Sequence, residues 1–181
     1  MNESDQFALL LFEEAKRFLE KSYEEKNAPD KVAYCHAALL LGYGALEAHI
    51  NCISEDFIGR SDLSVLDNSI LQERDFELDK GEFSLTTHKK IFRLEERIEY
   101  LHRRFSGSGI DKNSSWWGQF KRGLQLRNSL THPKGNAAEI NEAAVGDILK
   151  AVIELIDTMY QAIYKKSYPW KRQGLDSKLN F

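Results

Sequence analysis

Residues 32–46 contain no Asp, Glu, Lys or Arg. The run is apolar around its whole circumference rather than along one stripe, and it ends at Glu47. As a helix rising about 1.5 Å per residue it is too short for a bilayer core of about 30 Å. A helix of this kind is stable only where other elements cover most of its sides. The chain therefore needs several amphipathic partners for it, and it supplies them. Phe7, Leu10, Leu11, Ala15, Phe18 and Leu19 recur at helical spacing. So do Ile91, Leu94, Ile98, Leu101 and Phe105, and later Val145, Ile148, Leu149, Val152, Leu155, Ile156, Met159 and Ile163. Spacings of three and four residues place each set on one helical face.

The punctuation fits the same reading. Asn27-Ala28-Pro29 separates a first helix over 4–25 from a second over 29–58. Ser106-Gly107-Ser108-Gly109 ends a helix over 86–105. Asn113 or Ser114 caps another over 115–131, which Pro133-Lys134-Gly135-Asn136 closes, and a last one runs over 139–165. Residues 63–85 are weakly periodic; a short helix over 65–76 is expected there, and no strand. The predicted fold is all-α, an up-and-down bundle of four to five long helices. One domain is expected over 1–166, followed by a loosely ordered tail over 167–181. Within the second helix Gly42, Gly44 and Ala45 permit close approach of a neighbour. Glu47 interrupts the apolar surface there, and a buried carboxylate needs a partner.

Charge and cysteine usage narrow the function classes. With 25 Lys and Arg against 28 Asp and Glu, the net charge is -3. A chain of this balance does not coat nucleic acid through a global field; any such contact is local. Cys35 and Cys52 fall in one expected helix about 25 Å apart, which excludes a disulfide between them. No Cys-x-x-Cys spacing suggests zinc. Reduced thiols and an acidic start without a basic leader point to a cytoplasmic protein with no membrane segment. No metal constellation or cofactor pocket is legible.

The chemistry concentrates in Arg127-Asn128-Ser129-Leu130-Thr131-His132-Pro133, at the tail of the 115–131 helix. Arg127 can grip a phosphate through two N–H groups. His132 can give or take a proton near neutral pH. Asn128 adds a donor and an acceptor, and Pro133 stops the helix beside the imidazole. The spacing alone is common, since Arg97 and His102 repeat it. That second copy sits among Glu95, Glu96, Glu99, Arg103 and Arg104 and reads as a solvated charged face. The other readings stay open. Lys121 and Arg122 either extend a phosphate path or are ordinary surface. Trp116 and Trp117 either stack bases or pack the core. Glu47 either orients Arg127 or pairs with another donor. His36 and His49 read as core or surface residues, without a second ligand at helical spacing.

The Arg127, Asn128 and His132 motif, its place near the end of the penultimate helix and the segment Gly42-Tyr43-Gly44-Ala45-Leu46-Glu47-Ala48 together resemble the HEPN superfamily. The resemblance covers roughly residues 7–164; residues 59–86 match no pattern of the family. It implies an α-helical bundle, often a homodimer, and metal-independent endoribonuclease activity of the kind found in toxin–antitoxin and phage-defence systems. It also implies RNA as substrate, Arg127, Asn128 and His132 as catalytic residues with Glu47 in support, and a cognate antitoxin such as a nucleotidyltransferase-like protein. RNA supplies its own nucleophile, the 2′-OH, and the products would carry 2′,3′-cyclic phosphates. The alternative is a catalytically silent helical module that binds a nucleotide or a protein.

Overall fold

A computed structural model describes residues 3–133 and 139–181; part of the expected 133–136 turn lies outside them. Among the described residues there are six α-helices and one two-stranded sheet. The helices are α1 (Glu3–Glu24), α2 (Ala28–Glu55), α3 (Val65–Gln72), α4 (Leu94–Ser106), α5 (Ser115–Thr131) and α6 (Glu142–Tyr164). The strands β1 (Arg74–Asp79) and β2 (Glu82–Lys89) lie between α3 and α4. The chain forms two compact units, one from Met1–Ala48 with Asp111–Phe181, the other from His49–Ile110. No described helix is long and apolar enough to cross a membrane.

In the first unit the α6 stripe is buried as its spacing predicts, whereas the buried face of α1 departs from the expected one, since Phe7 and Leu10 are 58% and 47% exposed. Ala8, Phe12, Ala15 and Leu19 of α1 are buried, as are Ala38, Leu39, Tyr43 and Leu46 of α2. Phe120 of α5 and Val145, Ile148, Leu149, Val152, Leu155, Ile156 and Met159 of α6 join them. Two glycines set how closely the helices approach. A Cβ on Gly42 would collide with the Leu149 side chain, and one on Gly123 with Ile148 and with the Tyr43 hydroxyl. Asn141 caps α6, its side chain accepting from the Ala144 N–H at 2.9 Å.

The segment 167–181, expected to be a loose tail, makes specific hydrogen bonds. The carboxylate of Asp157 on α6 is 1% exposed as a residue. It accepts from Ser167 Oγ at 2.8 Å, the Tyr168 N–H at 2.8 Å and Lys171 Nζ at 2.7 Å. Further on, buried Lys16 of α1 donates to the Asp176 carbonyl at 2.8 Å, and the Ser177 N–H donates to Glu20 at 2.7 Å. A carboxylate set into α6's apolar stripe and a lysine on α1's inner face both need partners. The C-terminal segment adds to the partners within each helix, Glu13 for Lys16 and Gln161 for Asp157.

The described residues are mostly helical, as expected, but the second unit adds a small sheet that the all-α expectation lacked. The short helix ends at Gln72, with Glu73 left-handed at φ 49, and α4 begins only at Leu94. Between them an antiparallel hairpin turns at Lys80 and Gly81, with φ 49 and 89. Two consecutive positive φ values characterise the primed turns that match strand twist. The register pairs Phe76 with Leu85 and Leu78 with Phe83, placing these four apolar side chains on one face. Alternation around Lys80-Gly81 is the signal that a purely helical reading misses. It also removes Ile91 from the expected α4 stripe; that side chain is 85% exposed.

Candidate functional site

Helix α5 is built to present its C-terminal turn. Trp117, Phe120 and Gly123 are buried along one face, and Arg127 continues that face one turn beyond Gly123. On α2 the matching positions are Tyr43 and Glu47, also one turn apart. The Tyr43 hydroxyl donates to the Phe120 carbonyl at 2.5 Å, and its ring stacks on Phe120 at 6.1 Å. One turn along, Arg127 Nη2 donates to Glu47 Oε1 at 2.7 Å. Arg127 Nη1 donates to Asn128 Oδ1 at 3.2 Å.

The Arg127–Glu47 pair is partly open to solvent, the side chains being 27% and 39% exposed. Ion pairs in such surroundings contribute at most about 1 kcal/mol to folding. The consequence of this contact lies in orientation. Together with the Asn128 contact it occupies two of the five guanidinium N–H groups and leaves three for a ligand. Burial pushes the Tyr43 phenol well above its ordinary range, against the opposing pull of the Arg127 charge. Tyr43 is thus a neutral anchor. The sequence reading passed over it, although its place one turn before Glu47 was visible.

His132 is the C-cap of α5, with φ -133 and ψ 67, and its N–H donates to the Asn128 carbonyl at 2.9 Å. Thr131, His132 and Pro133 are all exposed. Five residues turn a helix through about 500°, so His132 leaves α5 about 140° round the axis from Arg127. The structure therefore brings Arg127, Asn128 and Glu47 together and places His132 at the open end of the same helix. Lys121 and Arg122, six and five residues before Arg127, project about 120° and 140° away from it by the same arithmetic. Helix geometry does not line them up with the guanidinium.

Trp117 is 7% exposed and lies 5.2 Å from the Phe120 ring, tilted against it. It packs the core; Trp116 is half-buried, edge-on to it at 5.7 Å. His49 is buried and His36 half-buried. The second Arg-x4-His copy is not a solvated face. Arg97 and His102 are both buried. Arg97 donates to Asn51 at 2.9 Å and Ser54 at 3.2 Å, and pairs with Glu73 at 3.2 Å. His102 Nδ1 lies 2.9 Å from the Ser108 carbonyl. Both side chains are structural members of the second unit. Among the described residues no group of three or more His, Cys, Asp or Glu is placed to hold a metal ion. Comparison with known proteins yields no match to a family model, a curated protein or a solved structure.

Proposed function

We propose that the chain is a metal-independent endoribonuclease of the HEPN type, acting on RNA in the cytoplasm as a toxin or phage-defence effector. The observation that carries the reading is the carboxylate-oriented Arg127 guanidinium beside Asn128, with the exposed His132 closing the same helix. Arg127 holds the non-bridging phosphate oxygens and stabilises the charge added in the transition state. His132 takes the 2′-OH proton or returns one to the leaving 5′ oxygen. Asn128 contacts phosphate or steers the imidazole, and Glu47 sets the guanidinium plane. Lys121 and Arg122 belong at most to the outer path of the RNA.

One histidine fills one of the two proton-transfer roles, and a second copy of the chain supplies the other. The surface of the first unit leaves room for such a homodimer. Phe7, Leu10 and Leu40 are 58%, 47% and 37% exposed. Leu11 lies against Gly44, one turn before Glu47. A nucleotidyltransferase-like antitoxin is the natural class of inhibitor for such an effector. The test is cleavage of mixed RNA and of the matching DNA. The proposal predicts cut RNA with 2′,3′-cyclic ends and intact DNA, which lacks the nucleophile.

The alternative is a catalytically silent helical module that binds a nucleotide or a protein. If RNA survives at every concentration while nucleotides raise the melting temperature, the module reading replaces the nuclease.

A further inference from the structure

The second unit contains a polar cavity of about 320 Å³ lined by Asn51, Glu55, Ile58, Leu71, Gln72, Glu73, Arg74 and Arg97. This size stands at the lower end of small-molecule sites. Its polar groups divide into two sets. Arg97 and Glu73 are committed to each other, and Arg97 also to Asn51 and Ser54. Glu73 adopts a left-handed backbone at the end of α3, a position where glycine is usual. The Glu73 carboxylate engages the buried Arg97 guanidinium at 3.2 Å, so these two charges already satisfy each other.

The second set is differently placed. Glu55 and Arg74 line the same cavity, yet among the described residues they form no ion pair with each other. Glu55 stands exposed at the last turn of α2. Arg74 spends its Nε–H on the Thr86 carbonyl at 2.7 Å, which fixes the guanidinium while its terminal nitrogens remain available. The Asn51 carbonyl oxygen is used by Arg97, leaving its NH₂ as a donor; the Gln72 NH₂ is used by Asn68, leaving its carbonyl as an acceptor. Ile58 and Leu71 supply aliphatic surface. The lining thus combines a carboxylate acceptor, a guanidinium donor, two carboxamides and aliphatic surface.

We propose that this cavity binds a guanine base. Guanine carries adjacent N–H donors at N1 and N2 on one edge and the acceptors O6 and N7 on another. A carboxylate such as Glu55 accepts from the first edge, and a guanidinium such as Arg74 donates to the second. Adenine fits worse because its N1 lone pair would face the Glu55 carboxylate. The lining charges of Glu55, Glu73, Arg74 and Arg97 cancel, which suits a neutral base over a free anion. The inference stands apart from the ribonuclease reading, since no residue of it belongs to the Arg127 site.

The experiment is isothermal titration of the full chain with guanosine and with adenosine, neither of which carries a phosphate for Arg127. Guanosine is expected to bind at least about tenfold tighter than adenosine, the discrimination one good bidentate pair provides. Glu55→Gln, at an exposed helix end, is expected to lower guanosine affinity about tenfold with an unchanged melting temperature. His132→Ala is expected to leave guanosine binding intact, so that loss of cleavage and loss of this site are separate results. Equal binding of the two nucleosides, no binding of either, or Glu55→Gln binding as tightly as the wild type each overturns the proposal.

Discussion

Arg97 and Arg127 begin the same five-residue pattern, and burial gives them opposite jobs. Arg97 is 5% exposed and sits among Glu73, Asn51 and Ser54. Removing one member of such a buried network costs about 3–5 kcal/mol, because the remaining charge has lost its partner. Arg97→Ala is therefore expected to unfold the second unit well below the wild-type midpoint in urea. Arg127→Ala should change the same midpoint by less than about 1 kcal/mol, since its pair is partly solvated. Under the proposed function it should still lower RNA cleavage by at least about a hundredfold, the scale of losing a charge-stabilising donor. The two variants together separate structural from functional arginine. That Glu47 needs a donor was legible from a carboxylate on an apolar helix, but the sequence left open whether the donor is Arg127, as in the structure, or another group. The role of Arg97 was not, because neighbouring charges in the sequence mimic a solvated surface while its partners come from α2 and the Glu73 turn.

Asp67 gives a pH dependence of defined sign. Burial alone would raise its pKa, but hydrogen bonds from the Tyr100 hydroxyl and from Ser64, with the Arg104 charge, bring it down to about 2. The unfolded carboxyl titrates near about 3.9. The folded state binds this proton more weakly, so the contribution is complete above pH about 4 and is lost as pH falls through about 2. Its size is of order 1 kcal/mol after allowance for solvent screening. Urea midpoints measured from pH 5 to pH 2 should show this acid limb, and Asp67→Asn should flatten it.

Among the elements, some helix bounds followed from the sequence, while the helix expected over 86–105 begins only at Leu94. Helix α5 occupies Ser115–Thr131, as the capping position at Ser114 and the stop at Pro133 predict. The failure at β1 and β2 has a physical cause. Three-to-four spacing can be found in any short apolar-rich stretch, whereas Phe76, Leu78, Phe83 and Leu85 only make sense as alternation about a turn with two left-handed residues. The approach of α5 to its neighbours rests on Gly123, where a side chain would strike Ile148 and lie 2.5 Å from the Tyr43 hydroxyl. Gly123→Ala gains a few tenths to one kcal/mol of helix propensity. It is nevertheless expected to be destabilising by about 1–3 kcal/mol, because overpacking against two buried groups outweighs that gain. Thermal unfolding monitored at 222 nm checks the sign. A more stable variant would show that α2 and α5 are free to move apart.

Across the whole molecule, the candidate RNA site lies within the first unit and the proposed nucleobase cavity within the second. Net charge of -3 leaves no broad basic field, so any RNA contact has to be made through local groups such as Arg127. The ties of the C-terminal segment to α1 and α6 were hidden because the segment is aperiodic, and its α1 partners lie more than a hundred residues away in sequence. The central claim is that an imidazole and a guanidinium at one helix end cut RNA without a metal. Its most direct test is cleavage of mixed RNA in EDTA by the wild type and by His132→Ala, with circular dichroism confirming equal folding. The account predicts cyclic-phosphate products from the wild type and none from the folded variant; undiminished cleavage by His132→Ala, or a wild type inactive until a divalent metal is restored, would contradict it.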